Sequence, residues 1–456
     1  MLKRELQRRQ DLCTGPFLPK IITYTIPIIL TSVLQLLFNA ADLVVVGQFE
    51  GNDDLGAVGA TGALIGLLVN FFMGLSVGAA VGVAQGIGAK DDKRVRKTVH
   101  TAIPTAVICG AFLTVVGIVL SPALLKLMDT PEKVIGLATR YMQIYFAGII
   151  PILLYNFGAA ILRSAGDTKS PLIFLSIAGV VNVVLNLFFV AVCHMSVAGV
   201  ALATTLSQAL SCVLVLRTLM RRTDCCRLEL RKLRIHKKTL WQIICVGLPA
   251  GLQSSLFSIS NVMIQSSVNS FGEVALSGST AAGNIEGFVY VSMNAFQQTA
   301  TTFVGQNSGA GKYKNVGKVT GLCLCCVAVV GIVFGGGCYL LAPNLLPIYL
   351  KEGGEAIAYG ITRMSYVCLP YFLFGIMDVL SGTLRGMGAS MVPMVVSILG
   401  VCGLRILWIA TIFRQYHTFD CLFLSYPVSW AVTIIPLLIG FVTIWHKRKQ
   451  QLQMSS

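Results

Sequence analysis

Charged side chains are scarce in this chain. Asp, Glu, Lys and Arg make up 12% of its 456 residues, and only 19 residues are acidic. A soluble chain of this length carries about twice that share to cover its surface, so a soluble enzyme or binding module is excluded. Histidine is also sparse: His100, His194, His236, His417 and His446 are scattered and show no metal-ligand spacing. Cysteine is present, but without a partner pattern. Cys323, Cys325 and Cys326 lie in an apolar run with no nearby histidine, and Cys225 and Cys226 sit in a basic stretch where reduced thiols are expected. No resident cofactor is expected. Long polar stretches are missing too, which leaves no room for a soluble catalytic domain. The basic N-terminus runs through Pro19 and Lys20 straight into an apolar segment without a small-residue cleavage signature, so no removable signal peptide is expected.

Apolar sequence fills the space. The hydrophobic fraction is 55% and the mean hydropathy +0.77. Twelve segments are long enough to cross a hydrocarbon core of about 30 Å at about 1.5 Å per residue: roughly 21–47, 56–82, 98–121, 134–157, 170–191, 197–219, 241–268, 278–303, 316–341, 356–379, 390–411 and 424–446. The fold class is therefore all-α integral membrane, twelve helices in two six-helix bundles. The net charge of +16 invites a nucleic-acid reading, but its placement opposes one. Most of the basic residues fall on one face: Lys3, Arg4, Arg8, Arg9 and Lys20 at the start, a cluster from Lys90 to Lys97, and Lys447, Arg448 and Lys449 at the end. Glu50, Asp53, Asp54, Glu273, Glu352, Glu355 and Asp420 fall on the other. Positive-inside bias makes the basic face cytoplasmic with both termini inside, in the plasma (inner) membrane. The domain plan is a cytoplasmic segment 1–20, a lobe 21–219, a basic linker 220–240 facing anionic headgroups, a lobe 241–446 and a cytoplasmic tail 447–456.

The second half repeats the first. LRSAGDTKSPL from Leu162 returns 222 residues later as LRGMGASMVPM from Leu384, which aligns Arg163 with Arg385, Gly166 with Gly388 and Pro171 with Pro393. At the same offset Pro27 falls on Pro249 and Asn39 on Asn261, and QGIGAK from Gln85 matches QNSGAG from Gln306 with one residue of slippage. Duplicated bundles with a site between or within the halves are the usual build of secondary transporters. Pro27 and Pro249 each remove a backbone hydrogen bond near the cytoplasmic end of a span, so they are candidate hinges, though static kinks are equally compatible. Gly74, Gly78, Gly82 and Gly86 recur every four residues and mark a face for close helix packing.

Ionisable residues inside spans are costly in lipid and usually mark a cavity or pathway. The candidates are Asp42, Glu286, Asp378 and Arg405, with Arg405 the only basic residue deep in a predicted span. Asp42 in the first span, Asn182 and Asn186 one turn apart in the fifth, and Thr204 in the sixth fall at similar depth. A carboxylate, two amides and a hydroxyl are hard-oxygen ligands for Na+, or proton-relay groups. A static hydrogen-bond anchor is the competing role for Asp42. At the repeat offset Asp42 becomes Ile264, so the second half differs inside. It offers Gln253 and Asn261 on a polar seventh span and Glu286, Tyr290, Met293 and Gln297 on the eighth, with Asp378 on the tenth. Amides, Met and aromatics around carboxylates suit bulky amphipathic cations.

These features together resemble the multidrug and toxic compound extrusion (MATE) family over essentially the full chain: Pro27 with NAADLVVVG around Asp42, QGIGAKDDKRVRK, LRSAGDTKSP and LRGMG. The resemblance implies a monomeric antiporter that expels organic, often cationic, compounds against an inward flow of H+ or Na+ by alternating access. It implies that Asp42, Asn182 and Thr204 match the family's first-lobe cation site. Asn186 stands where several members have aspartate, which weakens the case for Na+. The span-seven neighbourhood where the NorM-like branch has glutamate is Phe257 and Ser258 here, so the chain is closer to the DinF-like branch and leans to protons. A lipid-linked saccharide flippase and an integral-membrane enzyme or receptor remain as alternatives. The orientation is directly testable. A C-terminal green fluorescent protein fusion is expected to be fluorescent and a C-terminal alkaline phosphatase fusion silent; the reverse would invert the topology.

Overall fold

Within lipid a backbone can satisfy its own N–H and C=O groups only in a helix or a closed barrel, and these apolar runs take the first route. The computed structural model describes residues 11–49, 52–128, 130, 132–350 and 354–455. Lys3, Arg4, Arg8, Arg9, Glu50 and Glu352 of the charge pattern lie outside the described residues, as does the first half of the expected segment 1–20. The first half consists of α1 (Phe17–Phe49), α2 (Asn52–Gly88), α3 (Asp92–Leu127), α4 (Glu132–Ala147), α5 (Ile149–Ser164), α6 (Lys169–Val192) and α7 (Ser196–Arg221). The second consists of α8 (Lys237–Asn269), α9 (Glu273–Gly309), α10 (Tyr313–Leu340), the short α11 (Ala342–Tyr349), α12 (Gly354–Val367), α13 (Tyr371–Gly386), α14 (Met391–Phe413) and α15 (Phe419–Ser455). Among the described residues there is no strand.

Nine of these helices are long and apolar enough to span by themselves, and two bent pairs, α4 with α5 at 49° and α12 with α13 at 45°, bring the number to eleven. The remaining segment expected from sequence, 278–303, falls in α9, whose 37 residues are ample in length but diluted by Asn284, Glu286, Asn294, Gln297 and Gln298. Both bends sit beside a proline. Pro151 opens the first turn of α5, where its missing N–H breaks no helical bond, and Pro370 caps α13. At Gly148, between α4 and α5, an added Cβ would land on the Thr205 side chain, so only glycine lets α7 approach this break. The repeated glycines of the two LR motifs share one backbone state: Gly166 has φ +90° and Gly388 φ +82°, a region that disfavours other residues.

The chain divides into two units, Ile26 to Gly251 and Leu12–Thr25 with Leu252 onward. The division falls inside α1 and α8, next to Pro27 and Pro249, whereas the sequence places it in the linker 220–240. Packing in the first unit explains this. A Cβ at Gly74 would collide with the backbone of Gly251, and one at Gly78 with the Ile243 carbonyl, so α2 holds the first half of α8 backbone to backbone. Lower on the same stripe Gly82 and Gly86 seat α3 through Thr98 and Val95, at 3.1 and 2.8 Å from the added Cβ. In the second unit Leu12 is fully buried, Asn307 donates to its carbonyl at 3.1 Å, Tyr24 meets Phe303 edge-on and Thr25 shares a 2.8 Å hydrogen bond with Thr299.

The linker is folded rather than loose. His100 Nε2 accepts from the Glu229 N–H at 3.1 Å, and Thr101 bonds both the Arg234 carbonyl and His236. Arg222 is buried and pairs with Asp224 at 2.7 Å and Asp167 at 3.8 Å. Burial pushes its basicity down, and the hydrogen bonds and charge of Asp224, with Asp167, more than offset this, so the guanidinium sits above its ordinary value. Residues 447–455, expected as a separate tail, continue α15. Replacing Gly78 by alanine is expected to cost about 1–3 kcal/mol through overpacking, read as a lower unfolding midpoint of the purified protein. Gly62→Ala, where nothing lies within 4 Å of the new methyl, is expected to leave the midpoint unchanged.

Candidate functional site

One helical turn on α1 and two on α6 build the first cluster. Phe38 of α1 lies where a Cβ of Gly179 would be, so the missing side chain brings α1 against α6. One turn beyond each, the same faces carry Asp42 and Asn182, and Asn186 follows a turn later. The Asn186 amide nitrogen donates to Asp42 Oδ1 and, at 3.2 Å, to Asn182 Oδ1. Thr204 of α7 donates to Asp42 Oδ2 at 3.4 Å and accepts from Asn182 Nδ2 at 3.5 Å. The four residues close a ring through three helices. Asn182 and Asn186 are buried, while Asp42 and Thr204 keep partial exposure. Asn186 Oδ1 is buried without a hydrogen-bond partner. The ring offers a carboxylate, two amide oxygens and a hydroxyl to one small cation, or a hydrogen-bonded path to one proton. Among the described residues there is no group of three His, Cys, Asp or Glu that could hold a metal ion.

The second unit holds a separate polar network. Asp378 on α13 accepts from Gln297 Nε2 of α9 at 2.9 Å, Gln297 accepts from Asn294, and Asn294 accepts from Gln298 at 3.0 Å. Asp378 Oδ2 is buried and has no partner. Gln253 of α8 accepts from Arg385 Nη2 at 2.7 Å, and Arg385 Nε is likewise unpartnered. Tyr290 is half-exposed and lies against Phe374 at 5.6 Å between ring centroids. The other three expected cavity residues are not drawn into this network. Met293 is fully buried, its sulfur packed where a Cβ of Gly375 would be; Asn261 is exposed; and Glu286 is committed to Arg363 at 2.9 Å. Pro27 and Pro249 lie inside continuous helices.

Two readings from sequence change here. Arg405 is not the only deep basic residue: Arg385, which falls between the predicted spans 356–379 and 390–411, is 5% exposed inside α13, because the helix runs past the predicted end at 379 to Gly386. Arg363, within the predicted tenth span, is absent from the four charged candidates although its side chain is only 13% exposed. Their charges are handled differently. Arg363 pairs with Glu286, Arg405 stacks 3.9 Å over Tyr426 and donates to Ser429, and Arg385 keeps one free N–H. The alignment of LRSAG with LRGMG singles out Arg385 in the sequence, but nothing in its spacing signals burial.

The MatE family model matches residues 27–188 and 249–410, one copy in each half. The probable multidrug resistance protein YpnP of Bacillus subtilis is 29% identical over 400 residues, 87% of this chain and 88% of its own. A protein of Shewanella oneidensis named FAD transporter is 22% identical over 314 residues, 67% of this chain and 69% of its own. Among solved structures, a MATE protein in the bent conformation superposes with a TM-score of 0.86 at 21% identity, covering 99% of this chain and 98% of that one.

The buried ion pair makes a prediction. Glu286→Gln and Arg363→Ala are each expected to destabilise the protein by about 3–5 kcal/mol, since each strands a desolvated charge or donor. The double variant is expected to lose less than the sum of the two, read as unfolding midpoints in detergent.

Proposed function

Because the chain belongs to the multidrug and toxic compound extrusion family, whose members are membrane transporters and not enzymes, we propose that it is an efflux antiporter. It exports amphipathic organic cations from the cytoplasm in exchange for H+ or Na+. The observation that carries this reading is the ring of Asp42, Asn182, Asn186 and Thr204, which ties one carboxylate to three helices through groups that bind either a proton or a small hard cation. In the cycle, the coupling cation enters from outside and binds at Asp42. Neutralising that carboxylate removes its claim on the Asn186 and Thr204 hydrogen bonds, and α1 relaxes relative to α6 and α7. For Na+, turning the Asn186 amide would present its Oδ1 beside the Asp42 and Asn182 oxygens. Substrate leaves, the protein turns to face the cytoplasm, releases the ion and takes up new cargo. Coupling holds because ion and substrate favour different states or exclude each other. Pro27 and Pro249 are the bending points, since each already lacks one backbone bond. The chain works as a monomer with both termini cytoplasmic.

A second reading of the cargo has its own support. Arg385 is buried with an unpartnered N–H beside the Asp378 network, and one relative is named for FAD, an anionic dinucleotide. Cargo bearing an anionic group in addition to its aromatic body would answer that guanidinium. The same single free donor is little for a lipid-linked pyrophosphate, since Arg363 and Arg405 are already engaged.

Dye efflux from vesicles under an imposed pH gradient, and separately under a sodium gradient, tests the coupling. Wild-type protein is expected to respond to one of the two, and Asp42→Asn to lose that response. Export of the dye against its gradient by Asp42→Asn at the wild-type rate would overturn the role of Asp42.

A further inference from the structure

The ring around Asp42 does not end at Thr204. Following α7 toward its basic end, Thr204, Gln208, Ser211 and Val215 recur at helical spacing and form one stripe, with Thr205 at its edge. Thr205 Oγ1, Gln208 Oε1 and Ser211 Oγ are all buried, and none has a hydrogen-bond partner. Asn186 Oδ1, at the head of the stripe, is the fourth such atom. An unmet buried polar atom costs about 1–3 kcal/mol, so a run of them is not tolerated as dry packing. It calls for water or a guest.

The chemistry of the run is one-sided. Every unpartnered atom in it is an oxygen, and no basic side chain lies on the stripe between Thr204 and Val215. Oxygens spaced along one helix in a low-dielectric surrounding, with the hydroxyl protons turned away, can receive a cation, hydrated or as a proton on water. From Thr204 to Ser211 the run covers about 10 Å at helical rise. Below it the surface changes abruptly. Val215 and Leu219 are fully buried, and Val215 is pressed so closely on α5 that a Cβ at Gly158 would collide with its methyl group.

We propose that Thr205, Gln208 and Ser211 form a hydrated ladder along α7 by which the coupling cation leaves Asp42 toward the cytoplasm, and that Val215 seated on Gly158 is its inner plug. The inference rests on the proposed coupling role of Asp42. It assigns the release step to residues outside the ring, and it explains why the unpartnered buried oxygens of α7 end at Ser211, one turn before an apolar contact. The ladder passes a monovalent cation between water-bridged oxygens and has no part in holding the organic cargo.

The test uses full-length protein in liposomes with ethidium as cargo, under whichever ion gradient drives the wild type. Gln208→Met keeps the side-chain volume and removes the amide; Ser211→Ala removes the hydroxyl. Each is expected to lower gradient-driven transport about tenfold, the loss of one hydrogen-bonded stop, with ethidium binding to the purified protein within about twofold of wild type. Gln208→Asn is expected to restore part of the rate. Val215→Ser is expected to collapse the imposed ion gradient several-fold faster without cargo. Gradient-driven rates within twofold of wild type for both Gln208→Met and Ser211→Ala would overturn the ladder, as would loss of ethidium binding in step with transport. Asp42→Asn is run alongside. If it too transports normally, the coupling reading fails; if it is inactive while the ladder variants are not, the ladder alone fails.

Discussion

A carboxylate placed in a lipid-embedded bundle has to be met by donors, and that requirement organises the first unit. Asp42 is met by Asn186 and Thr204, which fixes the registers of α1, α6 and α7 against one another. The contact exists only because Gly179 leaves room for Phe38 one turn away. Charge, hydrogen bonding and steric fit thus converge on one point. Releasing the carboxylate's hold on its two donors is a local change, yet it acts on three helices at once.

The second unit handles charge by other means. Glu286 and Arg363 neutralise each other, Arg405 is spread over the faces of Tyr426 and Trp430, and among the described buried charged residues of this unit only Asp378 and Arg385 keep atoms without partners. The repeat has therefore kept its helical frame while its two interiors have diverged. One copy is built around a single acid among amides; the other contains acids and guanidinia in separate settlements. Such divergence fits the function proposed above, with one copy handling the small ion and the other meeting the varied surface of the cargo.

Much of this was legible in sequence where local periodicity carried the information. The spans follow from length and hydropathy. Asn182 and Asn186 share a face because they are four residues apart, and the four-residue glycine stripe reads directly as a packing face. What was hidden depends on pairing between distant residues. Glu286 looks like a free cavity acid until Arg363, 77 positions on, is seen to meet it. Arg385 looks like a loop cation because apolar residues thin out before α13 ends. The bends at Pro151 and Pro370 and the place of the unit boundary escape for the same reason: a proline signals a possible break, but only packing against α7 or α2 decides how the chain uses it.

The two units exchange segments of chain. Unit one takes in the residues from Lys237 to Gly251 that follow the linker, and unit two takes in Leu12–Thr25 from the first half. Cut in the linker, neither half would carry all of its own unit, since each would hold the piece that the other lacks. Two separately made halves would each have to lend a segment to the other before either unit could be whole.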